Sequence, residues 1–384
     1  MDNPYCSCKL TRVAGAQEAL DETYVRLLEP LYGKLPDASQ HSTSAKAAGG
    51  VCIALHPSKS VLATGDNTSV RLWDMLKRDL IQTVDIMGGS MIVCLEYDPS
   101  ATRLAIGLEN GMVMVYDTES WTPKSVLKDR ASRITTCKFS PNDLLLAVGS
   151  AEGIIDVYDV EHSLNRVNIC QPSQSQGAGR QSQGHGYPVA HIDWSIDSAR
   201  IKTQCDGMEI LFWEVGLFRG GSGQALNATM VADTDWIDWS APIGWHTTGI
   251  MKQIEEIGHV VACSRSHTGK RTWIVVGEYR GTLTIFPFPC RDGIPYEVSE
   301  LTHCTKRLTD VKISFDDTFL VTASVDGVFQ WRLLNDSKGQ DEEGGVDDVE
   351  PFEMDRKQAV AEANAAWGTE QGIDPRLLSS EFRE

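Results

Sequence analysis

No run of about 18 apolar residues interrupts the chain, and no basic segment followed by an apolar stretch opens it, so neither a membrane span nor secretion is expected. Positive charge is scarce: 35 Lys and Arg stand against 53 Asp and Glu among 384 residues, a net charge of −18. Long-range repulsion from nucleic acid and anionic bilayers follows, which removes both as expected partners. The phosphate-cradling Gly-rich loop that ends in Lys-Ser or Lys-Thr is missing, as is a Gly-x-Ser-x-Gly turn, so nucleotide and hydrolase chemistry lose support. Cys6 and Cys8 have no second pair nearby, the next cysteine being Cys52, and a structural zinc site needs one. Neither a metal nor a cofactor is expected. Cys52, Cys94, Cys137 and Cys263 fall inside apolar runs, where cysteine acts as a small hydrophobe, and they read as reduced thiols of a cytosolic chain.

What the sequence does have is repetition. One unit runs Ile92-Val93-Cys94-Leu95-Glu96-Tyr97-Asp98-Pro99, Leu104-Ala105-Ile106-Gly107, a turn at Asn110-Gly111, then Met114-Val115-Tyr116-Asp117. The same order recurs from Ile134 to Asp159 and, earlier, from Val51 to Asp74. The closing aromatics Trp73, Tyr116 and Tyr158 follow at 43 and 42 residues. Looser copies close at Trp213-Glu214, Ile285-Phe286 and Gln330-Trp331. Each unit offers three short apolar strands joined by Gly turns, and segments such as Asp79 to Val84 supply a fourth. A lone four-stranded unit leaves its edges and one face exposed, so the units must stack in a closed ring. The fold class is therefore all-β, a single β-propeller. From Trp213 to Phe286 is 73 residues, read as a degenerate blade plus a full one, which makes seven blades; six with a large insertion is the alternative.

These units resemble the WD-repeat family, with Trp73-Asp74, Tyr116-Asp117, Tyr158-Asp159, Trp213-Glu214 and Trp331-Arg332 closing their strands. From about residue 185 the resemblance narrows to the echinoderm microtubule-associated-protein-like family. It is carried by Ala190-His191-Ile192-Asp193-Trp194-Ser195, Glu209 to Trp213, Asp235-Trp236-Ile237-Asp238-Trp239, Pro242 to Trp245, Ser264 to Gly269, Phe286 to Cys290 and Val328 to Trp331. It covers roughly residues 50 to 334. It implies a non-enzymatic scaffold whose partners are tubulin or microtubule-associated proteins, placed in the cytoplasm and cytoskeleton, often in cilia or mitotic arrays.

Outside the ring, residues 1–50 form an N-terminal arm. Val13, Ala16, Leu20, Tyr24, Leu27 and Leu31 recur at spacings of three and four and predict an amphipathic helix over about 11–32. A Ser-, Ala- and Gly-rich linker follows. The propeller itself is expected over 51–334. Residues 335–384 form a C-terminal arm; from 336 onward it carries 14 acidic and 5 basic side chains, which predicts a solvated, extended stretch. A short helix is expected over 357–367, ending at Trp367. The Gln- and Ser-rich run 171–187 reads as an inter-blade loop.

Candidate partner-binding residues are Trp236, Trp239 and Trp245 in the tryptophan-rich stretch, with Leu20, Tyr24 and Leu27 on the N-terminal stripe and Trp367 in the C-terminal arm; most of the cluster's rings are expected to fill the core of a wedge-shaped blade, an exposed edge at a protein interface being the other reading. No catalytic residue is assigned. Cys263 and His267 are four apart, but the histidine belongs to a turn. His56, His185 and His191 read as braces of inter-strand turns, and Asp193, Asp206, Asp310, Asp316 and Asp326 as acceptors for backbone N–H groups. An acidic scaffold is repelled by the acidic outer tails of tubulin. Contact then requires a basic face, an apolar surface or the microtubule lumen, where the two arms would bridge neighbouring proteins of a ciliary or flagellar axoneme. A soluble adaptor in another protein complex is the alternative.

Overall fold

Apolar residues alternate or run unbroken through every repeat, and in the computed structural model each such run is a strand. The structure describes residues 51–333, apart from 66–67, 163, 171–183, 216–220, 251–259, 268–271, 301–307 and 325–326, together with the backbone of two earlier strands, Lys9–Leu10 and Leu28–Lys34. Leu20, Tyr24, Leu27, Trp367 and the expected helix 357–367 lie outside the described residues.

The six readable units become six antiparallel sheets, numbered I to VI here, over residues 52–85, 92–127, 134–170, 189–226, 260–300 and 308–333. Their first strands are Cys52–Leu55, Ile92–Tyr97, Ile134–Phe139, Val189–Trp194, Val260–Arg265 and Leu308–Ile313. These pack side by side, I on II, II on III, III on IV, V on VI and VI back on I. The second strands are sealed on both faces, as Leu145–Ser150 is throughout, whereas the fourth strand of sheet I, Asp79–Asp85, is exposed along most of its length. Apolar content follows that gradient, because only strands covered on both faces require continuous hydrophobic runs.

Glycine sets the spacing between sheets. Gly65 is the last residue of its second strand and Gly107, Gly149 and Gly277 are the last but one of theirs, and the first strand of the next sheet presses on each of them. A Cβ would lie 2.8 Å from Ile92 at Gly65, 2.7 Å from Ile134 at Gly107 and 2.9 Å from Val189 at Gly149, and it would meet Leu308 at Gly277. Any side chain there forces neighbouring sheets apart.

Among the described residues sheet VI supplies three strands of its own, and its outer place is taken by Leu28–Lys34, with Leu28 opposite Leu333 and Pro30 opposite Trp331. This corrects the expected helix over 11–32, which cannot extend through residue 32. Pairing to the open edge of sheet VI outweighs the helical spacing, and Pro30, lacking an N–H, is tolerated on such an outer strand. Lys9–Leu10 likewise adds to the outside of sheet V, against Glu297–Glu300.

Between sheets IV and V the pattern changes. Residues 227–250 contribute, among the described residues, no sheet of their own. They form two 3₁₀ turns, Ala228–Val231 and Trp245–Thr247, and one bridge, Ser195 to Trp236. The tryptophan-rich stretch thus enters the ring as an irregular wedge.

Candidate interaction surfaces and the central channel

Six first strands, with Ile237, Asp238 and Ser240 of the wedge, surround a cavity of about 710 Å³ on the ring axis. Charge bridges it. Lys138 Nζ lies 2.7 Å from Glu96 and 3.0 Å from Asp238, and Lys312 Nζ lies 3.1 Å from the other oxygen of Glu96. One carboxylate of sheet II therefore ties sheet III to sheet VI. Burial opposes the charge on Lys138, but Asp238 and Glu96 outweigh it and hold its pKa well above the ordinary value. Asp310 faces the same group; burial raises its carboxyl, while Lys312 and the Val311 N–H, 2.8 Å away, oppose the rise.

Burial shifts the titratable groups along the channel. Burial pushes the Cys52 thiol up to about 12, and burial likewise raises Cys263. Desolvation lowers His191 to about 4; Asp193 resists the change, and Lys202 and Lys138 reinforce it. The backbone N–H of His267 is held by both oxygens of Asp317, at 2.8 and 3.0 Å, which braces the turn. Among the described residues no nucleophile, base and orienting group converge.

The wedge is fixed by a buried cation. Lys202, in the strand Arg200–Cys205, points between two indoles, its Nζ 4.2 Å from the Trp239 ring centroid and 5.5 Å from that of Trp236. Asp193 lies 2.9 Å from the same nitrogen. The other interactions of Asp193 reach the wedge: it accepts from the Ser240 N–H at 2.7 Å, the Ser240 hydroxyl at 2.6 Å and the Ala241 N–H at 3.1 Å. Burial alone would raise this carboxyl; Lys202 and Ser240 hold it below the ordinary value. An ammonium removed from water needs both a counter-ion and polarisable neighbours, and here it has a carboxylate and two π faces. Backbone bonds complete the attachment, Ile237 donating to Trp194 O at 3.0 Å on one side and Gly249 to Cys290 O at 2.9 Å on the other.

Trp236 and Trp239 are accordingly 3% and 1% exposed. The two rings take the core place, between sheets IV and V, with Phe212, Val260 and Phe286. Trp245 is different. It is 52% exposed, and its indole N–H reaches Ala228 O at 3.3 Å, two residues from the exposed Met230. His246 accepts from the Cys290 N–H at 2.7 Å, which brings the turn carrying exposed Ile294 to the same region. The sequence pattern marked all three tryptophans alike. Lys202, which separates their roles, carried no local signal, because the two indoles it faces lie more than 30 residues away in the chain.

His185 was read as a turn brace, and its geometry is a relay. The Trp213 indole donates to Thr203 Oγ1 at 2.9 Å; His185 Nε2 lies 2.8 Å from that hydroxyl, and its Nδ1 3.1 Å from Glu209. Cys205 stands close enough that His185, Cys205 and Glu209 group as metal-ligating types. Both ring nitrogens are already engaged within the relay, so the cluster is accounted for without an ion. The indole–threonine part recurs at Trp73 and Thr64, 2.9 Å, and at Trp331 and Thr322, 3.2 Å.

With the geometry in place, comparison with known proteins adds ancestry. The profile of the echinoderm microtubule-associated protein second beta-propeller matches residues 51–333. Echinoderm microtubule-associated protein-like 3 of Homo sapiens is 27% identical over 288 residues, which is 74% of this chain and 30% of that protein. Echinoderm microtubule-associated protein-like 4 of Mus musculus is 26% identical over 287 residues, 73% of this chain and 27% of the relative. The chain thus spans less than a third of the length of these relatives. Among solved structures, a chain of the mitotic checkpoint complex superposes with a TM-score of 0.54 at 16% identity, covering 85% of this chain and 99% of that one. That likeness concerns the fold alone.

Proposed function

Because the chain belongs to the family of the echinoderm microtubule-associated protein second beta-propeller, we propose that it is a non-enzymatic scaffold that binds tubulin or microtubule-associated proteins in the cytoplasmic cytoskeleton. The names of its relatives motivate the partner, and the observation that carries a contact mode is exposed Trp245, hydrogen-bonded to the turn that carries exposed Met230 beside the wedge. Exposed aromatic and Met side chains in such a group suit a protein interface. With a net charge of −18, attraction to acidic tubulin tails is not available as the driving force. A WD-repeat ring of seven members, counting the wedge, then presents an apolar contact, while Leu20, Tyr24 and Leu27 in one arm and Trp367 in the other engage neighbouring axonemal proteins. The finer form of the reading is a structural protein on the inner wall of ciliary or flagellar doublets.

The same charge favours a second reading, a soluble adaptor in a complex without microtubules. Co-sedimentation with polymerised tubulin, before and after proteolytic removal of the acidic tails, separates them. Pelleting that survives or strengthens on tail removal supports the scaffold. No pelleting under either condition moves the chain to the adaptor reading.

A further inference from the structure

The first strands of sheets II and III meet beside the channel, and two thiols face each other across that seam. Cys94 Sγ lies 3.5 Å from Cys137 Sγ. Cys94 is third in Ile92–Tyr97 and Cys137 fourth in Ile134–Phe139, so strand alternation sends them to opposite sheet faces, which on adjacent sheets are the faces that meet. Both border the central cavity, Cys94 half-buried and Cys137 buried. Their freedom to part is small, because a Cβ at Gly107 would collide with Cys94 Sγ and come within 2.7 Å of Ile134.

We propose that Cys94 and Cys137 form an oxidisable cross-link site, at which hydrogen peroxide converts the thiol pair into a disulfide that joins sheet II to sheet III. Cys94 is the sulfur that a small oxidant in the cavity meets first. It attacks one peroxide oxygen, the O–O bond breaks, and the departing hydroxide takes the thiol proton as water, leaving a sulfenic acid. Cys137 then attacks the Cys94 sulfur; the S–S bond forms, the S–O bond breaks, and hydroxide leaves with the Cys137 proton as a second water. Two thiols lose two electrons in total, and one peroxide is reduced to two waters. The Cys94 contact and burial push Cys137 well above the ordinary thiol range, which makes it a poor first nucleophile. The bond closes a segment of 43 residues and so restricts the unfolded chain.

The test treats the full chain with graded hydrogen peroxide, alkylates the remaining thiols and maps peptides without reduction. Sulfoxide at Met87, the most exposed of the large apolar side chains among the described residues, gauges the dose. The expected result is a reductant-sensitive Cys94–Cys137 peptide pair accumulating at doses that oxidise Met87, with a raised Tm for the oxidised protein that returns on reduction. Recovery of both cysteines alkylated at those doses, sulfinic acid at Cys94, or linkage of either one to another cysteine would overturn the proposal. Cys137→Ser should leave a sulfenic acid at Cys94 that a dione reagent traps; if that variant does not fold, the wild-type map decides alone.

Discussion

Sheet III and the wedge at 227–250 are both clamped between neighbours in the same ring, yet different forces hold them. In sheet III four strands exchange ladder hydrogen bonds, and Leu146, Val148, Ile155 and Val157 are sealed apolar contacts. The wedge has one bridge, two short turns and a cation held by Asp193, Trp236 and Trp239. A repeated unit is over-determined by many small terms, so losing one leaves the rest. The wedge depends on a few large ones.

That contrast predicts where the ring is fragile. Asp193→Ala strands the Lys202 ammonium and removes the acceptor of two wedge N–H groups, and is expected to cost about 3–5 kcal/mol. Ile155→Val in sheet III removes one methylene from a sealed strand and should cost about 0.5–1.5 kcal/mol. Urea midpoints of the two variants check the difference, and equal losses would remove the distinction between wedge and sheet. The regular part has its own rigid point at the glycines. Gly107→Val drives a side chain into Cys94 and Ile134, with an expected loss of about 1–3 kcal/mol in the same assay.

A pH-dependent effect follows from His191, which lines the channel beside the wedge. Its folded value of about 4 lies below the ordinary 6.5, so the unfolded chain takes up the proton first. This contribution is complete above the unfolded value and is lost progressively as pH falls toward the folded one. Urea midpoints measured from neutral pH down to about 4 should fall less steeply in His191→Gln than in the wild type. The smallest stability change belongs to Trp245→Ala. Its ring is half exposed, so stability should shift by no more than about 0.5 kcal/mol, while pelleting with microtubules drops if the proposed contact is right.

The regular sheets were legible because their residues answer to local rules. Apolar runs at a constant period mark the strands, and glycine recurs where the next sheet presses. Ser140, Ser195 and Ser314 each accept the N–H five residues on, at 2.9 Å, to brace the first turn. Leu28–Lys34 was obscured by helical spacing, although Pro30 and Gly33 spoke against a helix there. Its strand exists because sheet VI has an open edge more than 290 residues later in the chain, and no local pattern carries that information. Likewise, nothing around Lys202 distinguishes a lysine sealed between indoles from one facing water. The tryptophans were visible as a cluster, but which ring is core and which is surface was decided by that distant cation.

Amide hydrogen exchange across the full chain tests most directly whether the wedge is a structural member of the ring. The amides of Ile237, Ser240 and Ala241, which donate to Trp194 and Asp193, should exchange as slowly as those of Val148 and Val157 in sheet III. Exchange of the wedge amides at the rate of exposed loops, with sheets III to V still protected, would contradict the account and return 227–250 to the status of an insertion lying on a six-sheet ring.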